Sequence, residues 1–438
     1  MFKRAAIRRT LCIAAAAAIL FAGFRADPTG VGYLRAAGAD GTDGDPLRDT
    51  AITSARADGY DRYMQKYEGA GRPEREVIIR GADYSASDGM QPEIVTGIGG
   101  ESGPFVKTMD TGSISWDVEI PETGLYNIAL RYHTIEGKSS SIERQLLIDG
   151  QTPFFDASRL IFPRVWTNER TEIERDNRGN DLRPRQTEAF VWQEALFRDA
   201  EGVHAEPYLF YFTAGKHTIT LVSSREPVII DYIRLFQAEE PPAYESLLAQ
   251  YEAAGYGSPS GVLLKIQGED AALKSSPTLY PIHDRTSPAT EPYHPSKIRI
   301  NTIGGHNWRM PGERLTWIVE VPEDGLYRIG IKFKQNGLRG IYSTRSLAVD
   351  GRTPFRELKE IPFFYDRDWQ LKVLGDEEPY LFYLTKGKHE ISLEVSLGAL
   401  APLIRQVESS VLELNRIYRK IMMITGNEPD PFRDYDLD

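Results

Sequence analysis

The stretch "EPYLFYFTAGKHTITLV" (206–222) returns almost unchanged as "EPYLFYLTKGKHEISLEV" (378–395). In the second copy His389, Ile391, Leu393 and Val395 alternate with Glu390, Ser392 and Glu394. A period of two with one apolar parity suits a strand that covers a core with one face and meets water with the other. The phrase reads as strand, Gly turn and returning strand. Tyr208, Phe210 and Phe212, and their counterparts Tyr380, Phe382 and Leu384, are expected to line an interior.

Working outward, the echoes continue in the same order. "YDRYMQKYEGAG" (60–71) matches "YESLLAQYEAAG" (244–255), and "WDVEIPETGLYNIALRY" (116–132) matches "WIVEVPEDGLYRIGIKF" (317–333). "LLIDGQTPF" (146–154) matches "LAVDGRTPF" (347–355). The spacing then slips by 29 residues, so the first copy carries an extra insertion. A domain of ordinary size has been written twice. Tyr327, Ile329, Ile331 and Phe333 alternate with Arg328, Gly330 and Lys332, again one greasy face per strand. "PETGLY" and "PEDGLY" mark reversals, and "IDGQ" and "VDGR" carry the Asp-Gly hairpin signal. Many short alternating strands joined by such turns predict a two-sheet sandwich in each copy, led in by a short Tyr-rich helix.

Beyond the second copy, Leu400, Leu403, Val407, Val411, Leu414, Tyr418 and Ile421 recur at spacings of three and four, an amphipathic helix. The expected organisation is therefore mainly β, in six parts. A signal peptide or anchor spans 1–25 and a linker 26–57. Sandwich domains follow at 58–238 and 239–398, then a helix at 399–425 and an acidic tail at 426–438.

The N-terminus reads as export machinery. "MFKRAAIRRT" is basic, and the apolar run "LCIAAAAAILFAGF" is too short to span a bilayer comfortably. The single cysteine, Cys12, lies near the start of that run, so the exported part has no thiol for disulfides, metal or nucleophilic catalysis. Membrane contact is expected only through this segment. The chain carries a net charge of −11, and residues 1–25 hold five basic groups and no acid, so the remainder sums to −16. Such a body repels phosphate backbones, which argues against nucleic acid as a partner.

No G-x-S-x-G elbow, H-E-x-x-H pair or phosphate-cradling Gly loop is present. Catalytic residues are therefore not assigned. Sugar binding needs flat aromatic faces on a rigid scaffold with charged groups nearby for hydroxyls. The first copy's insertion, 164–194, places Trp166 and Trp192 on either side of a strongly charged loop. Its shorter counterpart, 362–378, offers Tyr365, Asp366, Asp368 and Trp369. "DNRGND" (176–181) has spaced carboxylates around a Gly but lacks the bidentate Glu of a calcium loop, so it reads as a tight turn.

With "VIIRGADY", "WDVEIPETGLYNIALRY", "LLIDG" and "IIDYIRLF" (229–236) in view, each copy resembles the galactose-binding-like jelly rolls among carbohydrate-binding modules, particularly families six and thirty-five. The whole chain after residue 57 resembles the N-terminal portion of large bacterial extracellular solute-binding proteins of sugar ABC transporters. That resemblance implies an extracellular or cell-surface location, a carbohydrate ligand and transporter components as partners. It also implies a structural calcium held by two Glu of an opening "EAE" and an Asp of the last strand. Here Arg80 and Ala82 stand at the Glu positions, leaving Asp231 in the first copy. The second copy keeps Glu269 and has no "DYIRL" strand. Asp231 shares strand parity with Ile229, Ile233 and Leu235, so it needs a cation or backbone donors if buried. Three functional readings follow: a non-catalytic sugar-binding protein, a structural spacer that docks a partner through its helix, and a polysaccharide-degrading enzyme.

Overall fold

The computed structural model describes residues 59–435. The export signal expected at 1–25 and the linker expected at 26–57 lie outside them. Asp58–Ala401 form one compact unit, and the chain from Pro402 onward belongs to a second. The protein is mainly β, with two successive jelly-roll sandwiches and a C-terminal helix.

The first sandwich is organised by the strand Gly124–Thr134. On one side it pairs antiparallel with Trp192–Leu196 and Leu209–Phe212, and on the other with Val228–Phe236. Val228–Phe236 continues the sheet to Val77–Arg80 and Phe105–Thr108. The opposing sheet runs Ala86–Asp88, Gly112–Ile120, Gly215–Arg225, Ile142–Ile148, Leu160–Phe162. One core joins the two: Trp116, Ile219 and Leu221 from the back sheet pack with Tyr126, Ile128, Leu130, Tyr132, Phe210 and Phe212 from the front. The opening phrase thus does what its alternation required. The Tyr-rich helix Tyr60–Lys66 closes the outer edge of Leu209–Phe212, whose backbone amides would otherwise lack partners. Leu209 N donates to the Tyr60 hydroxyl at 3.0 Å, and Tyr211 N to the Tyr63 hydroxyl at 2.8 Å.

The second sandwich repeats these pairings. Arg314–Val321 pairs with Gly387–Ser396, which pairs with Tyr342–Val349 and through it with Ile361–Phe364. Gly325–Tyr327 pairs with Phe382–Leu384, and Gly330–Phe333 with Gln370–Val373. The helix Tyr244–Ala253 repeats the edge closure, with Leu381 N donating to the Tyr244 hydroxyl at 2.9 Å. Residues 116–132 and 317–333 therefore hold equivalent places.

The Asp-Gly hairpins form as their sequence demands. Asp149 and Gly150, and Asp350 and Gly351, all adopt positive φ, the conformation a two-residue turn of this hand requires. Each Asp also clamps a histidine of the returning strand: Asp149 meets His217 Nδ1, and Asp350 meets His389 Nδ1, both at 2.7 Å. His389 Nε2 in addition faces the Thr385 carbonyl at 2.8 Å, so the imidazolium fills both acceptors. Burial opposes that charge, but the Asp350 carboxylate and the Thr385 carbonyl outweigh it and raise the His389 pKa. A raised histidine pKa contributes stability that is complete below the unfolded value and is lost as pH climbs through the folded one. Melting temperature is accordingly expected to fall as pH climbs above the ordinary histidine value through the raised folded one, as read in melting scans. His389→Gln should flatten that loss, and an unchanged slope would reject the clamp.

The insertion of the first copy has a role that its composition did not disclose. Its strands Val165–Asn168 and Gln186–Ala189 pair with each other and then with Leu273–Lys274, extending the back sheet of the second sandwich to seven strands. The "DNRGND" segment forms its expected turn, with the Asp176 carboxylate accepting from Arg178 N and Asn180 N. Asp181 then accepts from Arg299 Nη1 at 3.0 Å and Ile300 N at 3.1 Å. The insertion is a brace between the sandwiches. Lys274, only 1% exposed, is buried in this joint with Asn168 Oδ1 as its partner at 3.0 Å. Desolvation pushes its pKa down to about 8. A buried ammonium without a carboxylate destabilises the fold. Lys274→Met is expected to stabilise by about 1–3 kcal/mol at pH 7 in urea denaturation. The gain should shrink as pH rises through 8 towards 10, where the native lysine is already neutral. A loss of stability at pH 7 would contradict this.

The helix Leu400–Thr425 is amphipathic, as its spacing predicts. Leu403, Leu414 and Tyr418 are exposed. Among the described residues no helix is long and apolar enough to cross a membrane.

Candidate functional site

The two aromatic residues expected to flank one loop are placed apart. Trp166 lies in Val165–Asn168 at the joint between sandwiches, where it is 8% exposed and pairs in register with Lys274 and Glu188. Its indole is packing material. Trp192 instead opens the strand Trp192–Leu196, opposite His133 of Gly124–Thr134, on the outer face of the first front sheet. It is half-buried.

Neighbours hold that indole firmly. Its Nε1 donates to the Ile98 carbonyl at 3.1 Å, and Phe105 and His133 pack against it at centroid distances of 4.6 and 5.2 Å. Burial lowers the His133 pKa and favours the neutral ring. The Arg131 guanidinium sits 4.8 Å from the indole centroid, a cation–π contact. Glu101 grips Arg131 through both oxygens, at 2.5 and 2.9 Å, which holds the Glu101 carboxyl below its ordinary range. That hydrogen bond also raises the Arg131 pKa, against the opposing effect of burial. Beside it the Glu194 carboxylate accepts from the Tyr232 hydroxyl at 2.7 Å and from Arg234. Burial first, then Glu194, pushes the Tyr232 phenol up to about 12. The result is a fixed aromatic plane bordered by guanidinium, carboxylate and phenol groups, all carried on strands except Glu101, which lies in the loop before Phe105–Thr108. Such a surface can stack the C–H face of a pyranose and hydrogen-bond its hydroxyls.

Asp231 departs from its expected parity. The ladder between Val228–Phe236 and Gly124–Thr134 shifts between Ile230 and Tyr232, so Asp231 is the extra residue of a β-bulge. Its carboxylate is held by Arg131 and, at 3.4 Å, by Arg80. A guanidinium thus occupies the role that a structural calcium would have. Two arginines on one carboxylate do not fit a divalent cation, and no calcium chemistry is assigned to Asp231. Glu269 is buried, and desolvation pushes its pKa up to about 7. This copy has no last-strand Asp to join Glu269 as a ligand. No group of three potential metal ligands occurs among the described residues.

In the second sandwich, Tyr365, Asp366, Asp368 and Trp369 fall in one loop, as expected. Asp366 accepts from Asp368 N at 3.1 Å, an Asx turn, and Asp366 N donates to the Gln335 carbonyl at 2.8 Å. Gln370 pairs with Phe333 as Gln193 pairs with Tyr132, so Trp369 is the positional counterpart of Trp192. The repeated dipeptide Trp-Gln at 192–193 and 369–370 carried that signal in the sequence. Trp369 Nε1 is tied to Asp284 at 3.1 Å, which also accepts from Lys334 at 3.3 Å.

A different hollow of about 260 Å³ lies where loops meet at one end of the first sandwich, lined by Asp110, Thr111, Lys138, Ser140, Arg225 and Glu226. Its lining contains no aromatic ring, and Lys138 and Asp110 already pair at 3.0 Å.

No protein-family model matches the chain, and no curated protein matches it. Among solved structures it is similar to a family 35 carbohydrate binding module from Clostridium thermocellum, at 17% identity and a TM-score of 0.22, over 37% of this chain and 99% of that chain. The C-terminal CBM6 of LamC, from Zobellia galactanivorans, aligns at 16% identity and a TM-score of 0.22, over 37% and 100%. The CBM35 from Cellvibrio japonicus Abf62 aligns at 14% identity and a TM-score of 0.23, over 38% and 95%. Scores this low decide neither ligand nor role.

Proposed function

We propose that this is an exported, non-catalytic carbohydrate-binding protein serving a sugar-uptake system, with its binding face around Trp192. One observation carries the reading. A half-buried indole is immobilised on a sheet face amid Arg131, Glu101, Tyr232, Glu194 and Arg234, the combination of flat apolar plane and directional polar groups that a pyranose requires. The link to a sugar ABC transporter rests on the sequence resemblance set out above. Trp369 with Tyr365, Asp366 and Asp368 offers a second, weaker face.

Affinity electrophoresis of the full chain through gels containing soluble plant and cell-wall polysaccharides tests this. Retardation by at least one glycan is expected, and passage unhindered through all of them would remove the reading. A reducing-sugar assay on the same glycans should stay at background. Release of reducing ends would replace the binding role with the degradative one.

A second reading has its own support in the exposed stripe of the Leu400–Thr425 helix, where Leu403, Val411 and Leu414 are 55%, 47% and 63% exposed. There the sandwiches act as a spacer and the helix docks a protein partner. Replacing Leu403, Val407, Val411 and Leu414 by alanine should abolish partner capture in a pull-down. Capture that persists would reject the spacer role.

A further inference from the structure

The two sandwiches match strand for strand until the last one. In the first, Val228–Phe236 lies between Gly124–Thr134 and Val77–Arg80 and pairs with both. In the second, the returning strand Gly387–Ser396 is followed at once by the helix Leu400–Thr425. The strands equivalent to Gly124–Thr134, namely Gly325–Tyr327 and Gly330–Phe333, keep their partners on one side. No strand among the described residues pairs with their other edge.

Burial records the difference. In the first sandwich Tyr126, Ile128, Leu130 and Tyr132 are completely buried. Their counterparts Tyr327, Ile329, Ile331 and Phe333 are only half-buried, although they pack on the second core. The other flank agrees. The Trp116 indole donates to the Gly81 carbonyl as Trp317 donates to Gly268, which aligns Ile79 with Ile266. Ile79 is 7% exposed in its paired strand, whereas Ile266 is 43% exposed and belongs to no strand.

We infer that the second sandwich is completed by an extended polypeptide strand that docks antiparallel on the Gly325–Phe333 edge. The first sandwich specifies its chemistry. Val228, Ile230, Ile233 and Leu235 point into the core and are fully buried, so the guest needs aliphatic residues at the inward positions. Asp231 meets Arg131 there, and Lys332 stands at the equivalent place in the second copy, so an acidic residue is expected opposite it. Arg328 is a further basic residue on that strand, whereas Lys334 is already paired with Asp284. An unpaired strand edge above a half-covered core is a template for strand addition. A second copy cannot lend its own Val228–Phe236 without opening its first core. The segments 1–25, 26–57 and 426–438 contain no run in which aliphatic and polar residues alternate. The occupant is therefore a strand of this pattern from outside these 438 residues, and the inference does not depend on sugar binding.

The test uses the full chain and a probe peptide with the sequence of residues 227–237, "PVIIDYIRLFQ". The peptide is supplied free, and also fused behind residue 438 through a Gly/Ser linker so that weak affinity cannot hide docking. Hydrogen exchange at the amides of 328–335 and 264–267 should slow about tenfold or more on docking. A scrambled peptide that breaks the alternation should leave exchange unchanged. Equal protection by the scrambled peptide, protection confined to the first sandwich, or none from the fused strand would overturn the inference. So would protection of 328–335 in the chain alone that rises with protein concentration, which would identify a second copy as the occupant.

Discussion

Glu226→Ala is expected to destabilise the first sandwich by about 3 kcal/mol or more, because several buried donors lose their shared acceptor at roughly 1–3 kcal/mol each. Glu226 sits at a turn with a φ of 64° and is almost wholly buried. One oxygen accepts from Arg164 Nη2 at 2.7 Å, and the other accepts from Ser140 N at 3.0 Å and the Ser140 hydroxyl at 2.7 Å. Lys138 N adds a further donor at 2.9 Å. Burial works against the ionised carboxyl, but these donors outweigh it and its pKa is lowered. Arg164 is itself buried, and among the described residues its other carboxylate partner is Glu188. Alanine would leave a guanidinium and two backbone amides short of an acceptor, in a loop junction that ties residues 137–140 to 224–227. Urea denaturation of wild type, Glu226→Ala and Glu226→Gln measures the effect. Glutamine should cost less than alanine because it keeps one acceptor oxygen. A change below about 1 kcal/mol for alanine would mean that the network contributes no more than a surface pair.

Trp192→Ala is expected to weaken binding of any retarding glycan at least about tenfold, as loss of a central aromatic anchor does. Stability should change far less than for Glu226→Ala, since the indole is only half-buried and its removal leaves Arg131 paired with Glu101 and Asp231. Trp369→Ala should have the smaller effect on affinity, because the primary face is proposed around Trp192 and the second sandwich offers the weaker one. Titration calorimetry of the three proteins with one oligosaccharide separates the two faces. Equal loss in both variants would assign binding to both sandwiches, and no loss in Trp192→Ala would remove the proposed face.

Much of the architecture was legible because it is written in periodicities of two and in turn residues whose backbone needs are strict. Tyr208, Phe210 and Phe212 are buried as their alternation requires, and Asp149-Gly150 and Asp350-Gly351 turn with the conformation that dipeptide favours. The site was less legible, for three physical reasons. Trp166 and Trp192 look alike in sequence, and only strand pairing reveals that one is buried at a joint between sandwiches. A single bulge at Asp231 reversed the parity on which its environment was judged. Arg131, Glu101 and Glu194 are polar residues of ordinary appearance, brought together from sequence separations that no local pattern encodes. The brace formed by 165–189 was hidden likewise, because its partner strand, Leu273–Lys274, is two residues long.

The central claim is that Trp192 and its polar border form the sugar-binding face, and the chain's six tryptophans allow it to be read directly. Each contributes one indole N–H signal to a nitrogen–proton correlation spectrum, assignable by single Trp→Phe variants. On titration with an oligosaccharide of the retarding glycan, the Trp192 indole signal should move saturably while those of Trp116 and Trp166 stay in place. Saturable shifts that leave Trp192 untouched would contradict the account.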